Sequence, residues 1–220
     1  MSADRVDEYI ANSKFVAGRI KKYYQKDSIV INPPVNTKKF IIGDKTEDYF
    51  LVAGRLMTYK RFDIVIEAFN KLGWPLKIIG RGPDFKRLRK MSRPNIEFTG
   101  RLSDDELISV FSKTKAFIFP QEEDFGIIAI EAMASGKPIV AFQGGDIIEH
   151  VREGVEGIFF KEQTAGSLIE ALKKFDSSKF NSQDIREKAL PFDREIFKVR
   201  IKDYVERSRI RHRNGLDLEF

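Results

Sequence analysis

The stretch Ala116-Phe-Ile-Phe-Pro-Gln-Glu-Glu-Asp-Phe-Gly-Ile-Ile-Ala-Ile-Glu-Ala-Met-Ala-Ser-Gly136 decides the fold class. Ala116 to Pro120 is a near-continuous apolar run, the pattern of a strand in a parallel sheet buried on both faces. An acidic loop follows, with Glu122, Glu123 and Asp124, and Gly126 then begins a helix. The alternation recurs on either side. Tyr49 to Ala53, Leu76 to Gly80, Ile96 to Gly100, Pro138 to Phe142 and Gly157 to Phe160 are further strand candidates. Between them, Arg61 to Leu72 places Phe62, Val65, Ile66 and Phe69 on one helical stripe, and Ser103-Asp-Asp-Glu106 is a capping box that opens the helix of Leu107, Ile108 and Phe111. About six strands alternating with helices predict an α/β domain, a doubly wound parallel sheet with right-handed crossovers and helices on both faces.

Composition bounds the rest. In 220 residues, 42% are hydrophobic and 12% aromatic, enough for a buried core, which excludes the disordered, collagenous and low-complexity classes. With no cysteine there is no disulfide framework, thiolate zinc site or cysteine nucleophile. The 39 Lys and Arg against 33 Asp and Glu give +6, spread over segments of mixed sign, which reads as a solvated surface rather than an anionic-partner footprint. No apolar run approaches membrane-spanning length, and the start, Met1-Ser-Ala-Asp-Arg-Val-Asp-Glu8, lacks the basic and apolar regions of a signal peptide. The expected location is the cytoplasm, with contact to the cytoplasmic membrane at most peripheral.

The two ends differ from the middle. Asp7 to Ser13 reads as a strand, followed by a helix through Tyr24 and an extended, proline-stiffened connector at Ile29 to Asn36. Phe192 to Val205 carries a stripe of Ile196, Val199, Ile201 and Tyr204 that wants a surface to pack on, and Arg207 to Arg213 is strongly basic. The expected division is therefore 1–30 as the edge of another domain and a linker, 31–190 as the α/β domain, and 191–220 as a crossover helix with a basic tail.

Candidate chemistry gathers at strand ends. Glu122, Glu123 and Asp124 stand at the carboxyl end of a strand, where open α/β sheets bind ligands, and the amides of Phe125, Gly126 and Ile127 lie at a helix N-terminus suited to phosphate or sugar hydroxyls. Glu131, roughly 7 to 8 Å further along that helix, can face the same crevice as Glu123. The alternative is that these carboxylates only complement a helix dipole and that Glu131 is an exposed helical residue. After the Tyr49 strand, Gly54-Arg-Leu-Met-Thr-Tyr-Lys60 places Arg55 and Lys60 around a turn where a diphosphate could sit; the alternative is two surface charges. Gly80-Arg-Gly82 and the Gly144-Gly145 pair are weaker glycine turns, and Glu149 either turns toward the crevice or lies on a helix surface. Neither turn completes a dinucleotide fingerprint or a Walker loop. His150 and His212 are too few and too far apart for zinc, Asp104-Asp105 is explained by its cap, no G-x-S-x-G elbow occurs, and nucleic-acid motifs are absent. No metal site is expected.

Together these features resemble the C-terminal half of the family 4 (group 1) glycosyltransferases, enzymes of two facing Rossmann-like domains, the GT-B fold. The E-x7-E motif of that family matches Glu123 to Glu131, its glycine-arginine turn matches Gly54-Arg55-Leu56, its lysine matches Lys60, and its glycine pair with a following glutamate matches Gly144, Gly145 and Glu149; the order agrees over residues 29 to about 175. The resemblance implies that Arg55 and Lys60 hold the donor diphosphate and stabilise the leaving nucleotide without a metal. It implies that Glu131 binds the ribose hydroxyls, that Glu123 and the amides of Phe125 to Ile127 hold the transferred sugar, and that Arg101-Leu102 touches the base. Gly54 and Gly80 would let backbone approach the donor. Glu123, Arg55 and Lys60 would form the catalytic set, working with no cofactor. The wording Tyr59-Lys-Arg-Phe-Asp63 and Glu122-Glu-Asp-Phe-Gly-Ile127 is most similar to the polysaccharide-building mannosyltransferases. This implies GDP-mannose as donor, a glycan or lipid-linked acceptor, and retention of configuration. The family pattern starts with an acceptor-binding domain, of which only the last strand and helix, about residues 5–24, are expected here, so that a separate domain or subunit would complete the enzyme. Two other functions share the features: a non-catalytic nucleotide-sugar or partner-binding module, and a GT-B-type nucleotide-sugar epimerase.

Overall fold

A computed structural model describes residues 5–213. The chain opens with β1 (Ile10–Ala11), α1 (Lys14–Tyr24) and β2 (Ile29–Val30), the two strands pairing in parallel. Strand structure is confined to two residues of the expected Asp7 to Ser13 run, because Ser13 already caps α1, its hydroxyl accepting from the Val16 amide at 3.1 Å. The main domain follows as β3 (Phe50–Ala53), α2 (Phe62–Leu72), β4 (Leu76–Ile79), α3 (Phe85–Met91), β5 (Ile96–Gly100), α4 (Asp104–Lys113), β6 (Phe117–Phe119), α5 (Ile127–Ala134), β7 (Ile139–Phe142), α6 (Ile147–His150), β8 (Gly157–Phe160), α7 (Ala165–Lys174) and α8 (Ser182–Ala189). Pro120 and Pro138, at the ends of two expected runs, fall outside β6 and β7. Pro138 cannot donate to a ladder and contributes only its carbonyl, which accepts from the Phe117 amide at 3.0 Å.

The six strands β3 to β8 form one parallel sheet in the order β5-β4-β3-β6-β7-β8. The chain builds outward from β3 in one direction, then returns to build from β6 in the other. β3 and β6 meet at Leu51 opposite Phe117, and the crevice beyond their carboxyl ends is where the crossovers diverge to opposite faces. Alternation along β3 sends Phe50 and Val52 to one face, with Phe62, Val65, Ile66 and Phe69 of α2 and Leu168 and Leu172 of α7. Leu51 and Ala53 go to the other, with Phe117, Phe119, Phe111 of α4, Ala129 and Met133 of α5 and Ile185 of α8. All four residues of β3 are buried, so this strand is the spine of both cores.

The closing helix α9 (Arg194–Arg213) is longer than expected and buries no residue fully. Its half-buried stripe is Phe197, Ile201, Tyr204 and Ser208; the predicted Ile201 and Tyr204 belong to it, whereas the predicted Ile196 and Val199 are exposed. This stripe does have a partner: Ser208 donates to Glu8, and Arg211 lies 3.8 Å from the same carboxylate. Chain entry and exit are tied where the Val35 amide donates to Phe192 O at 2.8 Å and Arg194 N donates to Val35 O at 3.0 Å. No helix among the described residues is long and apolar enough to cross a membrane. The expected ends of the outer segments, 1–4 and 214–220, lie outside the described residues.

Candidate active site

The turns after β3 and β6 meet over the switch in strand order, and the cations stand on the first of them. Gly54 and Gly80 take φ of +150° and +146°, which favour glycine, and the Gly54 amide donates to Ile79 O at 3.0 Å. A Cβ at Gly80 would sit 1.9 Å from Gly54 O, and one at Gly82 would sit 2.2 Å from Leu56 O. The close approach these glycines serve is thus between two turns of the protein. Leu56, fully buried, donates its amide to Arg81 O at 3.0 Å and accepts from the Asp84 amide at 3.2 Å, which locks the turn carrying Arg55. Arg55 itself is exposed and makes no hydrogen bond or ion pair among the described residues.

A single 3-10 turn, Thr58–Lys60, ends on Arg61 in the left-handed region and turns the chain into α2. It aims Lys60 across the crevice at Glu123. The ammonium bonds the Glu123 carboxylate directly, with the two side chains only 15% and 19% exposed. Two expected site residues on separate turns are thereby brought into contact. Asp124, next in the chain, pairs at the surface with Arg19 of α1 at 2.6 Å.

The start of α5 is less open than its sequence suggests. The Gly126 amide donates to the Asp146 carboxylate at 3.0 Å, and the Ile127 amide donates to Phe125 O at 3.1 Å. Of the three amides expected to face a ligand, only that of Phe125 has no partner among the described residues. Gly126 is required because Phe119 passes beneath it, 2.6 Å from where a Cβ would stand. The turn before α6 supports the acidic loop from below, where Asp146 N donates to Glu123 O at 3.1 Å and Gly145 packs on the Glu123 backbone.

Glu131 lies further along α5 and is not exposed, and its carboxylate accepts no hydrogen bond from a described residue. Burial pushes its carboxyl up to about 7, and the nearby Lys39 charge lowers it only in part. Lys39 is drawn aside by an ion pair with Asp104 at 2.8 Å, at the start of α4. Just before that helix, Leu102 packs on the core while Arg101 is exposed and makes no ion pair or hydrogen bond among the described residues. Ser103 and Glu106 form the predicted capping box.

Glu149 does not enter the crevice. Its carboxylate accepts from the amides of Lys14 and Phe15, at 3.1 and 2.7 Å, and so caps α1. Two buried groups near the site were missed by the sequence reading, Asp146 and His150. Their only signal was the glycine pair immediately before them, because the partners of Asp146 lie about twenty residues earlier in the chain. Among the described residues no three His, Asp or Glu side chains gather into a cluster that could hold a metal ion.

With this geometry in view, comparison with known proteins adds the following. The family described as Glycosyl transferases group 1 matches residues 35–190. An uncharacterized glycosyltransferase of Methanocaldococcus jannaschii is 28% identical over 185 residues, covering 82% of this chain and 51% of that protein. The O-antigen chain mannosyltransferase RfbU of Salmonella typhimurium is 32% identical over 154 residues, covering 64% of this chain and 43% of that one. A GDP-mannose-dependent alpha-mannosyltransferase of Corynebacterium glutamicum is 34% identical over 106 residues, covering 48% and 25%. This chain spans about half or less of the length of these relatives. Among solved structures, sucrose-phosphate synthase from Thermosynechococcus elongatus superposes with a TM-score of 0.83 at 19% identity, over 93% of this chain and 59% of that one. Anabaena HepE in complex with UDP and glucose superposes with a TM-score of 0.79 at 18% identity, over 93% and 64%.

Proposed function

We propose that this chain, which belongs to the group 1 glycosyltransferases and has the fold of one half of a GT-B enzyme, is the donor-binding half of a transferase that uses a nucleotide sugar. The observation that carries this reading is the Lys60–Glu123 contact across the crevice at the switch in strand order, with Arg55 exposed on the loop that carries Lys60. Arg55, with no partner among the described residues, and Lys60, which can exchange Glu123 for phosphate, receive the diphosphate. Glu123, released by that exchange, holds the sugar, Glu131 accepts from the ribose hydroxyls, and Arg101-Leu102 borders the base. In the transfer, the bond from the anomeric carbon to the diphosphate oxygen breaks and its electron pair leaves with the nucleotide. An acceptor hydroxyl oxygen bonds to that carbon, and its proton passes to the departing diphosphate oxygen. Arg55 and Lys60 stabilise the charge developing on the leaving group, so the step uses the chain's own cations and no resident cofactor.

The donor we favour is GDP-mannose, transferred with retention to a glycan or lipid-linked acceptor, in support of which stand the Tyr59 to Asp63 and Glu122 to Ile127 wording and the mannosyltransferases among the relatives. Acceptor recognition belongs to a part of the enzyme that this half does not supply. Calorimetric titration with GDP-mannose, GDP, UDP-glucose and ADP tests the reading, with the Arg55→Ala/Lys60→Ala double variant as control. Preference for guanine ligands, lost in the double variant, is the expected result. Equal binding by parent and double variant would show that the site lies elsewhere.

A further inference from the structure

We infer that Asp146 is a positioning residue that sets where Glu123 and the first turn of α5 stand; the consequence for donor binding rests on the function proposed above. Asp146 has no exposed surface. Its carboxylate accepts from Gly126 N at 3.0 Å, and its amide donates to Glu123 O at 3.1 Å. One side chain and its own backbone thus hold both ends of the segment 123–126. Gly145, at φ +72°, lets this turn press on the loop: a Cβ there would stand 2.7 Å from Glu123 O.

The carboxylate is incompletely satisfied. Its second oxygen is buried without a hydrogen bond, and His150 Nε2, 3.4 Å from the first, is also buried and unbonded. The His150 ring stands edge-on to Phe125 at 5.4 Å and to Phe192 at 4.9 Å, so neither group can turn toward water. A buried carboxylate with one amide partner is costly for a fold to keep. What it secures is the backbone directly beneath the carboxylate that meets Lys60. With Gly126 N already committed to Asp146, placement of Glu123 bears on the sugar more than on the diphosphate.

The discriminating quantity is the ratio of affinities for a nucleotide sugar and its nucleoside diphosphate, measured on the full chain with the pairs GDP-mannose/GDP and UDP-glucose/UDP. Asp146→Ala is expected to weaken the nucleotide sugar on the order of tenfold while leaving the diphosphate within about threefold. Asp146→Asn keeps an oxygen where the one that accepts from Gly126 N stands, so its ratio is expected to match the parent. An unchanged ratio in Asp146→Ala, or equal loss of both ligands, would overturn the positioning role. Amide hydrogen exchange at Gly126 provides a reading that needs no donor: it should quicken in Asp146→Ala and not in Asp146→Asn. If the parent binds neither pair, the donor-site reading fails, while the exchange result still decides the role of Asp146. Should Asp146→Ala not fold, Asp146→Glu, which displaces the same carboxylate by one methylene, takes its place with the same expected loss of ratio.

Discussion

Replacing Glu131 by glutamine should stabilise the protein, and only above the pH at which the glutamate ionises. Burial on α5 raises the carboxyl from 4.5 to about 7, Lys39 offsetting this in part. The folded state therefore holds the proton more tightly than the unfolded chain. The contribution of this group to stability is fully present below pH 4.5, falls as pH rises toward 7, and is constant beyond. The 2.5-unit difference corresponds to about 3 kcal/mol at ~1.36 kcal/mol per unit, a ceiling because the part of the side chain open to water is screened. Glutamine is isosteric and does not titrate. The stability of Glu131→Gln relative to the parent should thus be near zero at pH 4.5 and approach about 3 kcal/mol by pH 8, which for a chain of this length is roughly 6 to 12 °C in Tm. Urea unfolding at half-unit pH intervals, followed by the fluorescence of Trp74, measures the difference directly. A gap that is flat from pH 4.5 to 8 would refute the argument, because a side chain that merely packs well cannot produce a slope. Lys39→Met supplies an internal check: with the opposing charge removed, the slope should extend to higher pH.

Two further outcomes test how the site is built. Gly80→Ala combines φ of +146° with a Cβ 1.9 Å from Gly54 O and should cost more than about 3 kcal/mol, whereas Gly100→Ala, at φ +70° with open space around it, should cost about 1 kcal/mol; similar urea midpoints for the two would show that the 54–56 and 80–82 turns are not interlocked. Glu149→Ala removes both side-chain acceptors from the start of α1 and should cost about 1 kcal/mol, with faster proteolysis within 14–24; an unchanged digestion pattern would count against the cap.

The sheet was legible because both of its faces are buried. Runs such as Phe50 to Ala53 and Phe117 to Phe119 have no polar alternation to confuse with a surface strand, and the Phe62, Val65, Ile66 and Phe69 stripe states which side of α2 meets it. Helix α3 was not legible: Phe-Lys-Arg-Leu-Arg-Lys-Met buries only Leu88, so its period is masked by solvated cations. In the α9 stripe Ile201 and Tyr204 were read correctly and Ile196 and Val199 were not, because a helix with no fully buried residue offers little to fix its phase. For the candidate site, residues carried by consecutive motifs were found, and contacts between motifs were not. Lys60 and Glu123 were each identified, but their pairing depends on β3 and β6 being neighbours, which follows from strand order and not from spacing. The commitment of the Gly126 amide to Asp146 was hidden for the same reason.

Where the fold carries electrostatic cost is itself informative. Away from the crevice, buried or bonded carboxylates are paid for locally. Asp84 is held below its usual range by the Arg87 guanidinium, at 2.6 Å on both oxygens, and Asp193 by the Thr37 hydroxyl. Burial alone would raise Glu156, but hydrogen bonds from Arg152 overturn it. Among the described residues with a resolved shift, Glu131 is the carboxyl driven upward, and it has no hydrogen bond. Asp146, which accepts from the Gly126 amide at the start of α5, leaves one buried oxygen without a hydrogen bond among the described residues. A core selected for stability alone would pair or remove such groups, as this one does at Asp84, Asp193 and Glu156. Their concentration on and beneath α5, beside the Lys60–Glu123 contact, is what a surface kept ready for hydroxyl groups and charge from outside the chain would look like.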